Sequence, residues 1–385
     1  MANFANQLTF TMNRLSQLFV SRLKNDTVLL ISFSCALITS FIIPPDSLWI
    51  DYIDFKVIAI LFCLMAVVAA LRLSGLFDIA AAALTRRCKS IRSLAAILVG
   101  ITFILSMGIT NDVALIVLIP FSLLLLNNIT RPKIRIRITV FQTIAANVGS
   151  SLTPIGNPQN LFLFTSYDFS VLRFFSITIP VVLLGGLFLG ISIWTIPNDD
   201  LAKFIPSPNH SISIRKTVLH LVLFILSIGS VFNIIDFRVI TVIILAVYLV
   251  IDRKLLKKID YSLLLTFLFF FIFIGNLQRI ETISKLLIQI ADRNTLLFSA
   301  LLSQIISNVP AAILISGFTD NAAELLIGVS IGGMGTLIAS LASVISFKFF
   351  IQNRPGETVK YLGVFTFWNF LLLMIYVIVF NGYTP

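Results

Sequence analysis

Thr110-Asn111-Asp112 interrupts the apolar run 94–126 near its middle, and Ser307-Asn308-Val309-Pro310 interrupts a second apolar pair in the same manner. Such patches offer amide oxygens, hydroxyls and the backbone groups freed at a helix break. These are the groups that hold Na+ or an anionic solute at membrane depth. Two further stretches supply more of the same chemistry. Residues 145–157 align without gaps against residues 328–340, pairing Gly149 with Gly332 and Thr153 with Thr336, and small or hydroxyl residues break both at matching places. The cation set read from this pattern is Thr110, Asn111, Gly149, Ser150 and Thr153 from the first half, with Ser307, Asn308, Ser330 and Gly333 from the second. The solute set is Thr110, Asn111, Asp112, Asn157, Ser307, Asn308 and Thr336.

Small and hydroxyl residues also glue membrane helices together, and any one of these positions alone would be read that way. Recurrence at equivalent places of two halves is what argues for a site. Asp112 stands apart because it is ionisable and flanked by apolar sequence, a placement that costs several kcal/mol unless the group is paired or protonated. Its structural alternatives are a partner for a basic residue or a helix N-cap. Arg72, Arg279 and Lys348 stand near the ends of apolar runs and are expected to snorkel to the interface, leaving few buried cations for an anion. The run 267–273, rich in Phe, is expected to face lipid.

Other chemistries are excluded. Cys35, Cys63 and Cys88 have no paired or metal-ligand spacing, and His210 and His220 are the only histidines, so neither a disulfide frame nor a His/Cys metal site is indicated. No nucleophile, base and orienting group come together as an enzyme requires, and no ring-forming filter marks a channel. The net charge of +11 lies in short clusters between apolar runs, which argues against a nucleic-acid surface. No cofactor is called for beyond a coupling ion.

The elements that must position these groups are membrane helices. Of the 385 residues 58% are hydrophobic and 12% charged, too apolar a balance for a soluble core with a charged surface. Runs at 27–43, 55–71, 181–196, 219–235, 261–277 and 362–380 approach or reach the roughly 20 residues that span a bilayer. The strand-type alternation of a β-barrel is absent. The expected fold is an all-α polytopic membrane protein with about 10–11 membrane segments. Residues 1–26 show helical spacing of apolar side chains without a cleavage site and read as an interfacial segment.

Basic clusters at 72–92, 131–137 and 253–258 belong in the cytoplasm and the acidic connection Asp46, Asp51 and Asp54 outside, with the N-terminus inside. That arrangement requires 94–126 to enter and leave on one side, as a hairpin whose polar tip lines a cavity. Ile53-Asp54-Phe55 aligns with Ile259-Asp260-Tyr261, and an amphipathic stretch follows each, 74–86 and 280–292. The chain is therefore read as a first repeat 27–197, a cytoplasmic linker 198–216, an extra helix 217–236 without counterpart, and a second repeat 237–385. The extra helix inverts the second repeat and sends the C-terminus outside.

Thr110-Asn111-Asp112-Val113-Ala114-Leu115, followed by Thr153-Pro154-Ile155-Gly156-Asn157-Pro158-Gln159-Asn160, resembles the ion transporter superfamily. That group contains divalent anion/sodium symporters, citrate transporters, arsenite permeases and sodium/proton antiporters. The resemblance runs from about residue 27 to residue 380. It implies an inner-membrane homodimer in which a scaffold, here 27–73 and 217–276, holds still while both hairpins and broken helices move like an elevator. In dicarboxylate members both tips resemble Ser-Asn-Thr; here the third position is Asp112 or Val309, and the second broken helix reads Thr336-Leu337-Ile338-Ala339-Ser340 in place of a Thr-Pro motif. The leading expectation is a symporter of a small anion, carboxylate or oxyanion, coupled to Na+ or H+. The alternatives are a cation/proton antiporter using Asp112 and an efflux permease for arsenite-like solutes.

Overall fold

Long apolar runs, several of them opened by a polar cap, set the helices of this computed structural model, which describes residues 27–76, 79, 83, 88–126, 131–200 and 213–382. The expected interfacial segment 1–26, much of the first amphipathic stretch 74–86, linker residues 201–212 and the last three residues lie outside the described set.

Helix α1 (Thr27–Ile42) leads through residues 43–54, which include one helical turn at Trp49–Tyr52, to α2 (Phe55–Leu73), capped by Asp54. A hairpin of α3 (Ile91–Ile109) and α4 (Asn111–Leu126) follows, its start held by a capping box of Ser90 and Ser93. Next come a broken helix, α5 (Pro132–Ser150) and α6 (Pro158–Ser166), and the long α7 (Val171–Trp194). Helices α8 (Ile214–Val231) and α9 (Phe237–Ile251) connect to α10 (Tyr261–Arg279), capped by Asp260. Then the order repeats. Amphipathic α11 (Glu281–Arg293) precedes a hairpin of α12 (Thr295–Ile306) and α13 (Asn308–Ser316), a broken helix of α14 (Ala322–Gly332) and α15 (Leu341–Asn353), and α16 (Thr358–Phe380). Among the described residues no strand forms, and six helices are long and apolar enough to cross a membrane: α2, α3, α7, α8, α10 and α16. The chain is a multi-pass membrane protein.

The two hairpins enter from opposite ends of α7. Near its start, Tyr167 Oη donates to Thr319 O (2.7 Å) at the base of the α12/α13 hairpin. Near its end, the backbone of Ile91 donates to Asp199 O (2.9 Å) and Arg92 Nε to Ile196 O (2.9 Å) at the base of α3/α4. The 24 residues between make those ends roughly 36 Å apart, a bilayer thickness. Helices α2 and α10 also run antiparallel. Arg279 at the end of α10 pairs with Asp46 (2.7 Å) and donates to Tyr52 Oη (3.1 Å) just before α2. Arg279 is thus tied by side chains to the segment before α2.

The Phe run of α10 departs from the expectation of a lipid face. Phe267, Phe270 and Phe271 are buried, with Phe162 of α6 packed against Phe267 and Phe271 at centroid distances of 6.3 and 5.7 Å. The reason is position: α10 lies between α1 and the second hairpin, so apolar residues on most of its circumference meet protein. Arg135, one of the basic cluster assigned to a loop, sits in the first turn of α5 and forms a 2.5 Å ion pair with Glu357, joining the starts of α5 and α16.

Two glycines allow each broken helix to lie against its hairpin. A Cβ on Gly149 would strike Phe103 O and Ser106 Oγ, and one on Gly332 would lie 2.7 Å from Ser303 Oγ and 3.0 Å from Ala300 Cα. Phe103 and Ala300 stand seven residues before their tips, Ser106 and Ser303 four, so the contacts correspond. Gly149→Ala is expected to destabilise the protein by about 1–3 kcal/mol through overpacking against backbone that cannot swing away, read as a lower melting temperature in detergent.

Candidate functional site

Both hairpins turn on a residue whose backbone is strained in the same way. Thr110 has φ 74° and ψ 146°, and Ser307 has φ 77° and ψ 155°. Positive φ is costly for a residue with a side chain, most of all a β-branched one, and persists where the surroundings fix it. The surroundings do so in each half. Asn111 N donates to Gly156 O (3.0 Å), and Ser307 Oγ donates to Ala339 O (3.4 Å), a carbonyl at the aligned position. Thr153 Oγ1 donates to Met107 O and Thr336 Oγ1 to Gln304 O (2.9 Å), each the carbonyl three residues before its tip. Replacing either threonine with valine keeps the shape and leaves that carbonyl without its partner. Thr153→Val and Thr336→Val are each expected to cost about 1 kcal/mol, and by similar amounts, in thermal denaturation of the purified protein.

The sharp turns leave the first N–H groups of α4 and α13 without helical partners, at the positive ends of two helix dipoles. Both tips open onto one cavity of ≈ 570 Å³ counted with its mouth, where Asn111 and Asp112 meet Ser307 and Asn308. Gln159, Asp260, Thr266 and Ser340 complete its polar wall, and Val28, Leu263 and Leu341 are among its apolar side. No Lys, Arg or His of the described residues lines it. Among the described residues no donor or cation contacts the Asp112 carboxylate; its backbone N–H donates to Asn111 Oδ1 (2.9 Å). Asp112 therefore carries its charge or proton into the cavity with a second carboxylate, Asp260, on the same wall. Asp260 also caps α10, accepting from Leu263 N (3.1 Å).

The other residues picked from the sequence stand behind this wall. Thr110 is the hinge of the first tip. Asn157 caps α6, accepting from Asn160 N (2.8 Å) and donating to Ser150 Oγ (3.3 Å). Ser150 donates to Asn147 O (3.0 Å). Gly333 makes room for Asn308, whose Nδ2 would lie 2.9 Å from a Cβ there. Ser330 Oγ is buried without a hydrogen-bond partner among the described residues. Thr153 and Thr336 brace the hairpins as described, and Gly149 packs.

The structure adds one residue that ties the halves together. Asn147 Oδ1 accepts from Asn111 Nδ2 (3.2 Å) and from Ser340 Oγ (2.9 Å), while its Nδ2 donates to Gly333 O (3.3 Å) and Ser343 Oγ (3.3 Å). The first tip is thereby joined to the second broken helix. Neither Asp260 nor Asn147 is in the sets read from the sequence, although both fall inside its aligned stretches, the signal that could have found them; Gln159 and Thr266 carry no comparable mark.

Comparison with known proteins bears on this arrangement. The sequence profile of the citrate transporter family matches residues 17–346. An uncharacterized transporter of Methanocaldococcus jannaschii is 35% identical over 356 residues, 92% of this chain and 97% of that protein. The inner membrane protein YbiR of Escherichia coli is 29% identical over 326 residues, 82% of this chain and 85% of its own length. A silicon efflux transporter of Oryza sativa subsp. japonica matches more locally, 32% identical over 133 residues, or 34% of this chain and 27% of that protein. Among solved structures, the YdaH transporter of Alcanivorax borkumensis aligns with a TM-score of 0.56 at 14% identity over 87% of both chains, a likeness of fold.

Proposed function

The chain belongs to the citrate transporter family and is a membrane transporter, and from that premise we propose that it is a secondary active carrier of a small oxyanion or carboxylate, coupled to H+ or Na+, with the cavity between the hairpin tips as its binding site. The observation that carries this reading is the composition of the cavity wall. The amides of Asn111, Asn308 and Gln159, the hydroxyls of Ser307, Thr266 and Ser340, and two helix N-termini suit the oxygens of a small solute. The wall carries Asp112 and Asp260 and, among the described residues, no Lys, Arg or His, a lining that would repel an anion arriving alone. Two like charges about 4 Å apart repel by about 4 kcal/mol at the effective dielectric of a partly buried site, so an anion enters with protons or Na+ or as its neutral acid. Asn111, Asn308, Ser307 and Asp112 offer the oxygen ligands that Na+ takes.

Alternating access is supported by the two hairpins that enter from opposite ends of α7, the antiparallel α2 and α10, and the recurring order of elements, as expected of inverted repeats. In this reading α1, α2 and α8–α10 form a scaffold in a homodimer, and the hairpins and broken helices move across it in the inner membrane, N-terminus cytoplasmic and C-terminus outside. The paired carboxylates also favour a second reading, a cation/proton antiporter in which Asp112 binds ion and proton in turn and no solute exists.

Thermal denaturation of the purified protein separates these readings, since preferential binding to the folded state raises apparent stability. Citrate, sulfate, arsenite and silicic acid are each tested with and without Na+ and at two pH values. Stabilisation by one of them only with Na+ or at low pH is the expected result. Stabilisation by cations alone would replace the carrier with the antiporter.

A further inference from the structure

Two aspartates occupy the same place in the two halves. Asp54 precedes α2 with φ −78° and ψ 86°, accepting from Val57 N at 3.0 Å. Asp260 precedes α10 with φ −79° and ψ 83°, accepting from Leu263 N at 3.1 Å. Because α2 and α10 are antiparallel, the two carboxylates stand at opposite ends of the scaffold. Each opens onto a cavity, and the cavities differ. The one at Asp260 holds both hairpin tips. The one at Asp54 is walled by Tyr167, Gln278, Ser316 and Gly317 at the base of the second hairpin, and no tip residue lines it.

Repeats that are equivalent in sequence and unequal in surroundings describe one of two related states, the other obtained when each half adopts the arrangement of its partner. Resting on the inverted-repeat reading above, we propose that Asp54 takes the place of Asp260 beside the tips in the oppositely facing state. The correspondence is numerical: Asp54 matches Asp260, and Asp112 matches Val309, the residue after Asn308. The wall now shared by Asp260 and Val309 becomes one shared by Asp54 and Asp112, and the wall shared by Asp260 and Asp112 becomes one shared by Asp54 and Val309. Asp112 thus meets a scaffold carboxylate at each end of its travel. A proton or monovalent cation held between two carboxylates is released to either side from a chemically similar site, which a single fixed aspartate does not provide.

Cysteine cross-linking in native membranes tests this without a known solute. In a background with Cys35, Cys63 and Cys88 replaced, the pairs D260C/V309C and D54C/V309C are treated with the shortest bifunctional thiol reagents, and linked peptides are quantified by mass spectrometry. F55C/V309C is the control, since Phe55 is the next residue and is 53% exposed. A carrier alternating within seconds samples both states during an hour of reaction, so both aspartate-derived pairs are expected to link at least about tenfold above the control. Linking of D260C/V309C with D54C/V309C at control level overturns the exchange and leaves the tip site standing. Failure of D260C/V309C to link removes the cavity and, with it, both the site and the exchange.

Discussion

Asp112→Asn is expected to abolish accumulation against a gradient while leaving the protein folded. The substitution is nearly isosteric, and the residue after the first tip keeps the backbone N–H that donates to Asn111 Oδ1. The carboxylate itself is held by no donor or cation among the described residues, so little native bonding is lost when it becomes an amide. What disappears is a negative charge, or the proton it carries, on the wall of a cavity that is also lined by Asp260 and, among the described residues, by no basic side chain. If a coupling ion is bound there, removing one charged partner of the pair costs about 2–5 kcal/mol of its binding. At about 1.4 kcal/mol per decade, affinity for that ion falls by about 30- to 4000-fold. In proteoliposomes with an imposed pH or Na+ gradient, uphill uptake should vanish, and solute exchange at equal concentrations should continue at a reduced rate. An Asp112→Asn protein that still concentrates solute, with the same response to each gradient, would remove Asp112 from coupling.

The parts of the architecture legible from the sequence were those with local causes. A polar triplet inside an apolar run breaks the helix where it falls, which located both tips, and Asp54 and Asp260 cap their helices with hydrogen bonds three residues long. The gapless alignment of 145–157 with 328–340 paired Thr153 with Thr336 while assigning one to the cation set and the other to the solute set, and both brace equivalent carbonyls. Composition was a poorer guide where burial depends on what lies alongside. Phe267 and Phe271 read as lipid-facing bulk, yet hydropathy cannot separate a helix facing lipid from one facing another apolar helix. The Arg135–Glu357 pair joins residues 222 apart in sequence, and nothing near either residue announces the other. The cavity wall has the same character. Asn111, Asp112, Ser307 and Asn308 could be found as tip residues, but Gln159 and Thr266 reach it only through the packing of α6 and α10.

Asn147 is the clearest instance of a site residue defined by distant partners, and its replacement should have the largest effect on the integrity of the site. The side chain is 4% exposed, and its amide has two N–H donors and one oxygen with two lone pairs. All four capacities are used, and the partners come from the first tip, the second broken helix and α15. Asn147→Leu fills a similar volume with a group that bonds to none of them. Asn111 loses the acceptor that orients its amide toward the cavity, and Ser340, on the cavity wall itself, loses its own. A buried polar group left unsatisfied costs about 1–3 kcal/mol, and because some of these groups can turn to other partners the total is expected near about 3–5 kcal/mol. Stability should therefore fall more than in either threonine variant. Transport should also be lost at temperatures where Asn147→Leu is still folded, because the tips no longer hold a common geometry. Asn147→Asp separates the two effects: it keeps the acceptor for Asn111 and Ser340 but not the donor to Gly333 O, and adds a third carboxylate close behind the cavity wall. It should bind solute only where extra protons or Na+ offset that charge. Wild-type transport and stability in Asn147→Leu would show that the two halves are joined by other means.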